Sequence, residues 1–254
     1  MNLRLDISYD GAPFHGFARQ PNVTTVQGDL EDALSRLFRT DVETVGAGRT
    51  DAGVHALGQV VSVDAPDDTD ERKIRDALNA MLAPSIAVSA VSRVDEDFHA
   101  RFSALSRMYV YAILVSEVPD PFLARTTLYH PEPLDVAAMN EAAGALTGPR
   151  DFTSFGRVPE GGSPERLLYD LRCWRTGDLV RVRARANAFI QQMVRSLVGT
   201  LVYVGEGRRS PDEMRSILEA KDRSAAGPVA PPHGLCLVSV EYEEGWSRPL
   251  DPLK

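Results

Sequence analysis

Apolar residues recur along this chain with two periods, and the period switches several times. Leu3 to Tyr9 alternates apolar and polar positions, which predicts a strand with one buried face. Leu30, Ala33, Leu34, Leu37 and Phe38 then fall on one face of a helix over roughly 26–38. Thr24, followed three residues later by Gln27, forms a capping box before that helix and assigns Gln27 to the cap rather than to a substrate. Strands are predicted near 42–46 and 58–64, a helix near 70–82 and a strand near 86–93. Further on, Met108–Val115 reads as a strand, 135–146 as a helix, and 170–176 with 179–186 as a hairpin around Gly177-Asp178. A helix from about Phe189 to Val204 and a strand over Leu235–Tyr242 complete the series. The stretches 158–164 and 224–234 read as exposed loops, and no internal repeat is evident.

This order describes an α/β (α+β) protein of two halves, 1–104 and 105–245, with a tail over 246–254 that is either poorly ordered or docked through Trp246. A chain of 254 residues is long enough for a well-packed core. No apolar run is long enough to cross a bilayer, and the start Met1-Asn2-Leu3-Arg4 lacks the apolar region of a secretory signal. Cys173 and Cys236 stand outside any metal-binding spacing and read as reduced core thiols of a cytoplasmic protein.

Charge narrows the picture. The net charge is −8, the opposite of a generic nucleic-acid binder. Residues 1–100 hold nine Lys/Arg and seventeen Asp/Glu, which accounts for the whole excess. Any phosphate-binding surface is therefore a local patch on a protein that is acidic elsewhere.

The segment Gly46-Ala47-Gly48-Arg49-Thr50-Asp51-Ala52-Gly53-Val54-His55-Ala56 carries the chemistry. It sets one carboxylate, Asp51, beside an arginine and between glycines, in a predicted connection between two strands. Glycine allows positive φ and close backbone approach, so such a loop can present an acid to a bulky substrate. The ordinary reading is a polar turn whose Asp bonds its own backbone.

The order of residues favours the first reading. Gly48-Arg49-Thr50-Asp51-Ala52-Gly53-Val54-His55-Ala56 resembles the catalytic segment of the TruA family of tRNA pseudouridine synthases. Other blocks resemble the same family in the same order. They are Tyr9-Asp10-Gly11 with Phe14-His15-Gly16 and Thr25-Val26-Gln27, then Phe98–Ala104 with Arg107-Met108-Tyr109-Val110-Tyr111. Towards the end come Met193-Val194-Arg195 with Val198-Gly199, and Ala230-Pro231-Pro232-His233-Gly234-Leu235. The resemblance implies two ferredoxin-like halves with antiparallel sheets meeting over a central catalytic cleft. It also implies a homodimer acting on tRNA at anticodon stem-loop positions 38 to 40.

Converting uridine to pseudouridine breaks the N1–C1′ bond, turns the uracil and joins C5 to C1′. No redox change or net hydrolysis occurs, so no cofactor or metal is required in principle. The reaction needs an ionised carboxylate, a platform for the detached ring and exclusion of water. The resemblance implies that Asp51 is the nucleophile or the base that removes a sugar proton. It implies that Arg195 pairs with that aspartate, which would oppose the rise in carboxylate pKa on desolvation. Without the resemblance, Arg195 reads as a helix-surface arginine.

Tyr109 fits the platform, since an aromatic face stacks on any base; the ordinary reading is a core tyrosine sharing a strand face with Tyr111. Arg49 either enters the space left by the flipped nucleotide or makes a local salt bridge. His55 is a candidate phosphate contact that also reads as a structural histidine. Arg101 and Arg107 flank the central block as candidate RNA-backbone contacts. Arg181, Arg183 and Arg185 share one face of a predicted strand, and Leu235 is a candidate wall of the uracil pocket.

Two departures from the family pattern, Ala18-Arg19-Gln20 and Asn187–Gln192, bear on RNA contacts rather than on Asp51, Tyr109 or Arg195. Two other functions stay open. One is an RNA-binding or folding protein without turnover, which would not need all three of those residues. The other is a glycosidic hydrolase, which usually uses two carboxylates where this motif offers one.

Overall fold

The computed structural model describes residues 1–248 of the chain. The first elements are β1 (Asn2–Tyr9), α1 (Val26–Phe38), β2 (Thr44–Gly46), β3 (His55–Asp64), α2 (Glu71–Leu82) and β4 (Ile86–Val94). There follow β5 (Ser106–Val115), β6 (Leu128–His130), α3 (Val136–Gly144), β7 (Gly148–Asp151), β8 (Glu165–Thr176) and β9 (Leu179–Ala186). Last come α4 (Met193–Gly205), α5 (Glu213–Ala220), β10 (Leu235–Tyr242) and β11 (Gly245–Trp246). The described residues form two compact units, residues 1–107 with 236–248, and residues 108–235.

The first unit has the β-α-β-β-α-β order of a ferredoxin-like fold, with β4, β1 and β3 adjacent and antiparallel. β2 pairs antiparallel with the later part of β3, and β10 pairs parallel with its start, Cys236 opposite His55 and Leu237 opposite Ala56. That parallel pairing is why the last strand belongs with the first unit, whereas the sequence placed it in a C-terminal half 105–245. Leu3, Leu5, Ile7 and Tyr9 bury one face of β1, as their alternation predicts. Leu30 and Leu34 of α1 and Leu78 of α2 are buried with them.

The N-cap of α1 is Thr25, not Thr24: its side chain accepts from the Gly28 N–H. Gln27 does not reach back to a cap. Its amide accepts from the Arg19 N–H at 3.0 Å and donates to the Thr44 carbonyl at 2.8 Å, tying the preceding loop to β2. Cross-chain bonds to that amide outweigh the local capping box.

The second unit places β5, β9, β8 and β7 side by side, with β6 paired parallel to β5. Tyr111 and Ile113 of β5 and Met139, Ala142 and Ala143 of α3 are in its core. Asn140 fixes α3 to β8 by donating to the Cys173 carbonyl and accepting from the Cys173 N–H, both at 2.8 Å. α4 begins four residues later than the apolar pattern suggests. Gln192 takes a left-handed φ of 64°, and Gln191 is occupied in a bridge to Arg157. The segment 224–234, expected as an exposed loop, is instead largely packed against α4. A Cβ on Gly199 would lie 1.8 Å from the Pro228 carbonyl oxygen, so only glycine admits this segment.

The tail expected from residue 246 starts as part of the fold: β11 pairs with β10, and the Ser247 hydroxyl donates to the Gly58 carbonyl. Residues 249–254 lie outside the described residues. No helix among the described residues is long and apolar enough to cross a membrane.

Candidate active site

Asp51 sits in the turn between β2 and β3, partly buried, and every segment around it is fastened. Before it, the Gln59 amide, itself fully buried in β3, donates to the Gly48 carbonyl at 2.7 Å and accepts from the Gly48 N–H at 3.3 Å. At its side, the buried Thr50 hydroxyl shares a 2.8 Å bond with the Tyr9 hydroxyl, and the Thr50 carbonyl accepts from the Phe17 N–H. After it, the Val54 N–H closes the turn onto the Asp51 carbonyl at 3.1 Å.

The glycines of the N-terminal block have their reason here. A Cβ on Gly11 would lie 2.1 Å from the Val54 carbonyl oxygen, inside any tolerable contact. Gly16 has φ +106° and lies against Thr50 and Ala52. The loop after β1 is thus laid flush on the Asp51 turn, which any side chain at Gly11 would lift off. Both observations account for a motif some forty residues away from the acid it supports.

Arg107 is buried, and its guanidinium bonds backbone oxygens on two segments. Nε and Nη2 donate to the Ala47 carbonyl at 3.1 and 2.9 Å, while Nη1 and Nη2 donate to Ala104 and Arg101 carbonyls. It joins the Asp51 segment to the central block. His55 is also largely buried; its Nδ1 accepts from the Gly11 N–H at 3.1 Å and lies 3.1 Å from the Asp10 carboxylate. Arg49 and Arg101 are exposed and line one cavity with Phe17, Gln27, His99 and Phe102.

In the second unit, Tyr109 is nearly buried and meets Phe189 edge-on, ring centroids 5.2 Å apart at 89°. An edge-to-face partner fixes the ring plane. Arg195 lies in the first turn of α4, where Nε donates to the Ala230 carbonyl at 2.7 Å and its own carbonyl accepts from the Ala230 N–H. The segment ending at Leu235 is therefore clamped to Arg195. Leu235 is buried at the start of β10. Tyr111 is fully buried and donates to the Pro231 carbonyl; a Cβ on Gly234 would lie 2.6 Å from its ring. Burial pushes the Tyr111 hydroxyl well above the usual tyrosine value, and the Arg195 charge acts weakly against that.

Arg181, Arg183 and Arg185 do alternate on β9 with buried residues between them. Arg183 is paired with Asp170 at 2.7 Å, and Arg185 lies over the Tyr169 ring. Arg49, Asp51, His55, Arg101 and Arg107 thus belong to the first unit, and Tyr109, Arg195 and Leu235 to the second. Sequence reasoning named Tyr9, Thr50 and Phe189 only within longer segments, without a role, and passed over Gln59. Gln59 left a signal, being a lone amide inside the apolar run Ala56–Val63.

The protein is thus α+β, with Asp51 on a glycine-bounded turn that is fastened on both sides. Comparison with known proteins makes this specific. The family model for tRNA pseudouridine synthase matches residues 7–103 and 142–243. The chain is 44% identical to tRNA pseudouridine synthase A of Agrobacterium fabrum, over 95% of this chain and 92% of that one. It is 47% identical to the protein of that name from Afipia carboxidovorans (94% and 98% covered) and 43% to that of Thermotoga sp. strain RQ2 (93% and 97%). A solved Cbf5-Nop10-Gar1 complex overlaps with a TM-score of 0.32 at 13% identity, covering 79% of this chain and 45% of that one, too remote to carry an argument. The chain belongs to the tRNA pseudouridine synthase family.

Proposed function

We propose that this protein isomerises uridine to pseudouridine in tRNA, at anticodon stem-loop positions 38 to 40, with Asp51 as the catalytic carboxylate. The observation that carries the reading is the fastening of the Asp51 turn by Tyr9, Phe17, Gln59 and Arg107. A carboxylate that must meet a sugar carbon within a few tenths of an ångström gains from such pre-organisation. A turn with no such duty would not need a buried Gln and a buried Arg on its flanking carbonyls.

In this reading Asp51 attacks the uridine or removes a sugar proton, Tyr109 supports the detached uracil, and Arg195 pairs with the aspartate. Leu235 supplies apolar wall. Arg49 and Arg101, both exposed, take RNA phosphates, which position the substrate without reading its sequence. To His55 and Arg107 we give support of the loops instead of direct contact with RNA, because their polar atoms bond backbone groups. The protein acts in the cytoplasm. It works as a homodimer, with Phe122 (92% exposed) and Val118 (71%) offering apolar surface on the second unit.

The test is to incubate the protein with an unmodified tRNA transcript and map pseudouridine by carbodiimide-dependent primer-extension stops. Stops at 38 to 40 support the proposal, and stops confined to other positions reassign the target. Free uracil in the supernatant would instead support a hydrolase. Tight tRNA binding with neither product would support a binding protein.

A further inference from the structure

The first unit holds a cavity of 210 Å³ beside the Asp51 turn, lined by Phe17, Arg49, His99, Arg101 and Phe102 among others. Its chemistry is out of keeping with the unit that carries it. Residues 1–100 are strongly acidic, yet both charged side chains on this wall are arginines. Glu31 lies behind the wall, held by the Thr44 N–H and hydroxyl, by Gln27 and by Arg19. The cavity is a local positive site.

Phe102 is 76% exposed at the mouth of this cavity. It does not hang loosely. His99 stacks on it with ring centroids 4.4 Å apart and an interplanar angle of 28°, and the Arg101 guanidinium lies 5.4 Å from its centre. The turn that presents it is closed reciprocally: the His99 N–H donates to the Ser103 hydroxyl, and the Ser103 N–H to the His99 carbonyl. His99 Nδ1 accepts from the Arg101 and Phe102 N–H groups, so neutral His99 carries its proton on Nε2 as a donor.

A rigid exposed aromatic face, a ring N–H donor and two guanidinium groups are what an unstacked nucleotide requires: a stacking surface, a base-edge contact and phosphate contacts. At 210 Å³ the cavity is below the range of about 300–1,000 Å³ typical of ligand pockets, room for a base-sized group and not for a larger ligand. We infer that this cavity takes a second nucleotide of the tRNA, distinct from the target uridine, with its base on Phe102 and its phosphate at Arg49 and Arg101. Holding a neighbouring nucleotide out of the stack keeps the helix open beside the target. This rests on the tRNA reading above.

The experiment uses anticodon stem-loop RNAs that each carry one 5-iodouridine at a non-target position, irradiated with the full-length protein and mapped by mass spectrometry. In parallel, tritium release from C5-tritiated target uridine is measured for wild type, Phe102→Ala and Phe102→Trp. The expected result is an adduct on Phe102 or His99 from one non-target position. KM for the RNA should rise about 5–150-fold in Phe102→Ala, the span set by base–aromatic stacking, with kcat little changed, and Phe102→Trp should restore it. Because Phe102 is so exposed, its removal leaves the fold intact, which an unchanged melting temperature checks. A wild-type KM in Phe102→Ala, while wild type releases tritium, overturns the second-nucleotide site and leaves the tRNA reading standing. A change in oligomeric state in Phe102→Ala would also overturn it, by making the ring a protein contact. No binding or release by wild type overturns both.

Discussion

The Tyr9 and Thr50 hydroxyls share a 2.8 Å hydrogen bond across forty-one residues of chain, and both residues are buried. Thr50 is the immediate neighbour of Asp51, so the first strand of the fold sets where the carboxylate stands. Tyr9→Phe keeps the ring and removes the partner of the Thr50 hydroxyl. An unsatisfied buried hydroxyl costs about 1–3 kcal/mol. The expected outcome is a melting temperature lower by several degrees and a fall in kcat with KM for tRNA preserved. Steady-state kinetics beside thermal unfolding checks it.

Glycine substitutions separate close approach from mere flexibility. Gly11→Ala places a methyl 2.1 Å from the Val54 carbonyl oxygen, which backbone must move to relieve. It should lose activity and more than about 2 kcal/mol of stability, in the range of overpacking penalties. Gly144→Ala, in α3 with nothing within 4 Å of the added carbon, should be neutral or stabilise by up to about 1 kcal/mol. Urea unfolding of the two variants reads the contrast.

Arg107→Lys tests the bracing between the Asp51 segment and the central block. A lysine cannot reproduce a fork that serves Ala47, Arg101 and Ala104 carbonyls at once. Each buried carbonyl left unpaired costs about 1–3 kcal/mol. The variant should be destabilised and slow, yet the salt dependence of tRNA binding should stay at its wild-type slope, since no phosphate contact is lost. The charge-removing Arg107→Gln should likewise keep the wild-type slope, and a slope shallower by about one in that variant would return Arg107 to the phosphate-binding residues.

Alkaline stability follows from the two thiols. Burial pushes both Cys173 and Cys236 up from 9.0 to about 12. Between those values the unfolded thiols lose their protons while the folded ones keep them, so the unfolded state is favoured as pH rises. Stability should hold below pH 9 and fall towards pH 12 by about 1.4 kcal/mol per pH unit for each thiol. Cys173→Ser with Cys236→Ser should flatten that fall, measured by denaturant midpoints across pH. Native protein should also resist iodoacetamide at pH 8.

Much of the fold was legible. α1, α2 and β4 appear within a residue or so of where periodicity puts them, because each has one apolar face and few competing contacts. β6 and β7 are short and lack alternation; Gly148-Pro149-Arg150-Asp151 gives no strand signal at all. α5 did leave one in Met214, Ile217 and Leu218 at helical spacing, and it went unread. The motif residues were legible as motifs, but their reasons were not. That Gly11 faces Val54, or that Arg107 serves Ala47, are contacts between distant segments which no local pattern encodes.

The central claim is that Asp51 carries out isomerisation, and tritium release from C5-tritiated uridine in tRNA tests it most directly. Wild type and Asp51→Asn are compared, with tRNA binding measured for both, since the change keeps shape and removes charge. The account predicts release by wild type, none by Asp51→Asn, and binding by both. Equal release by the two proteins would contradict it.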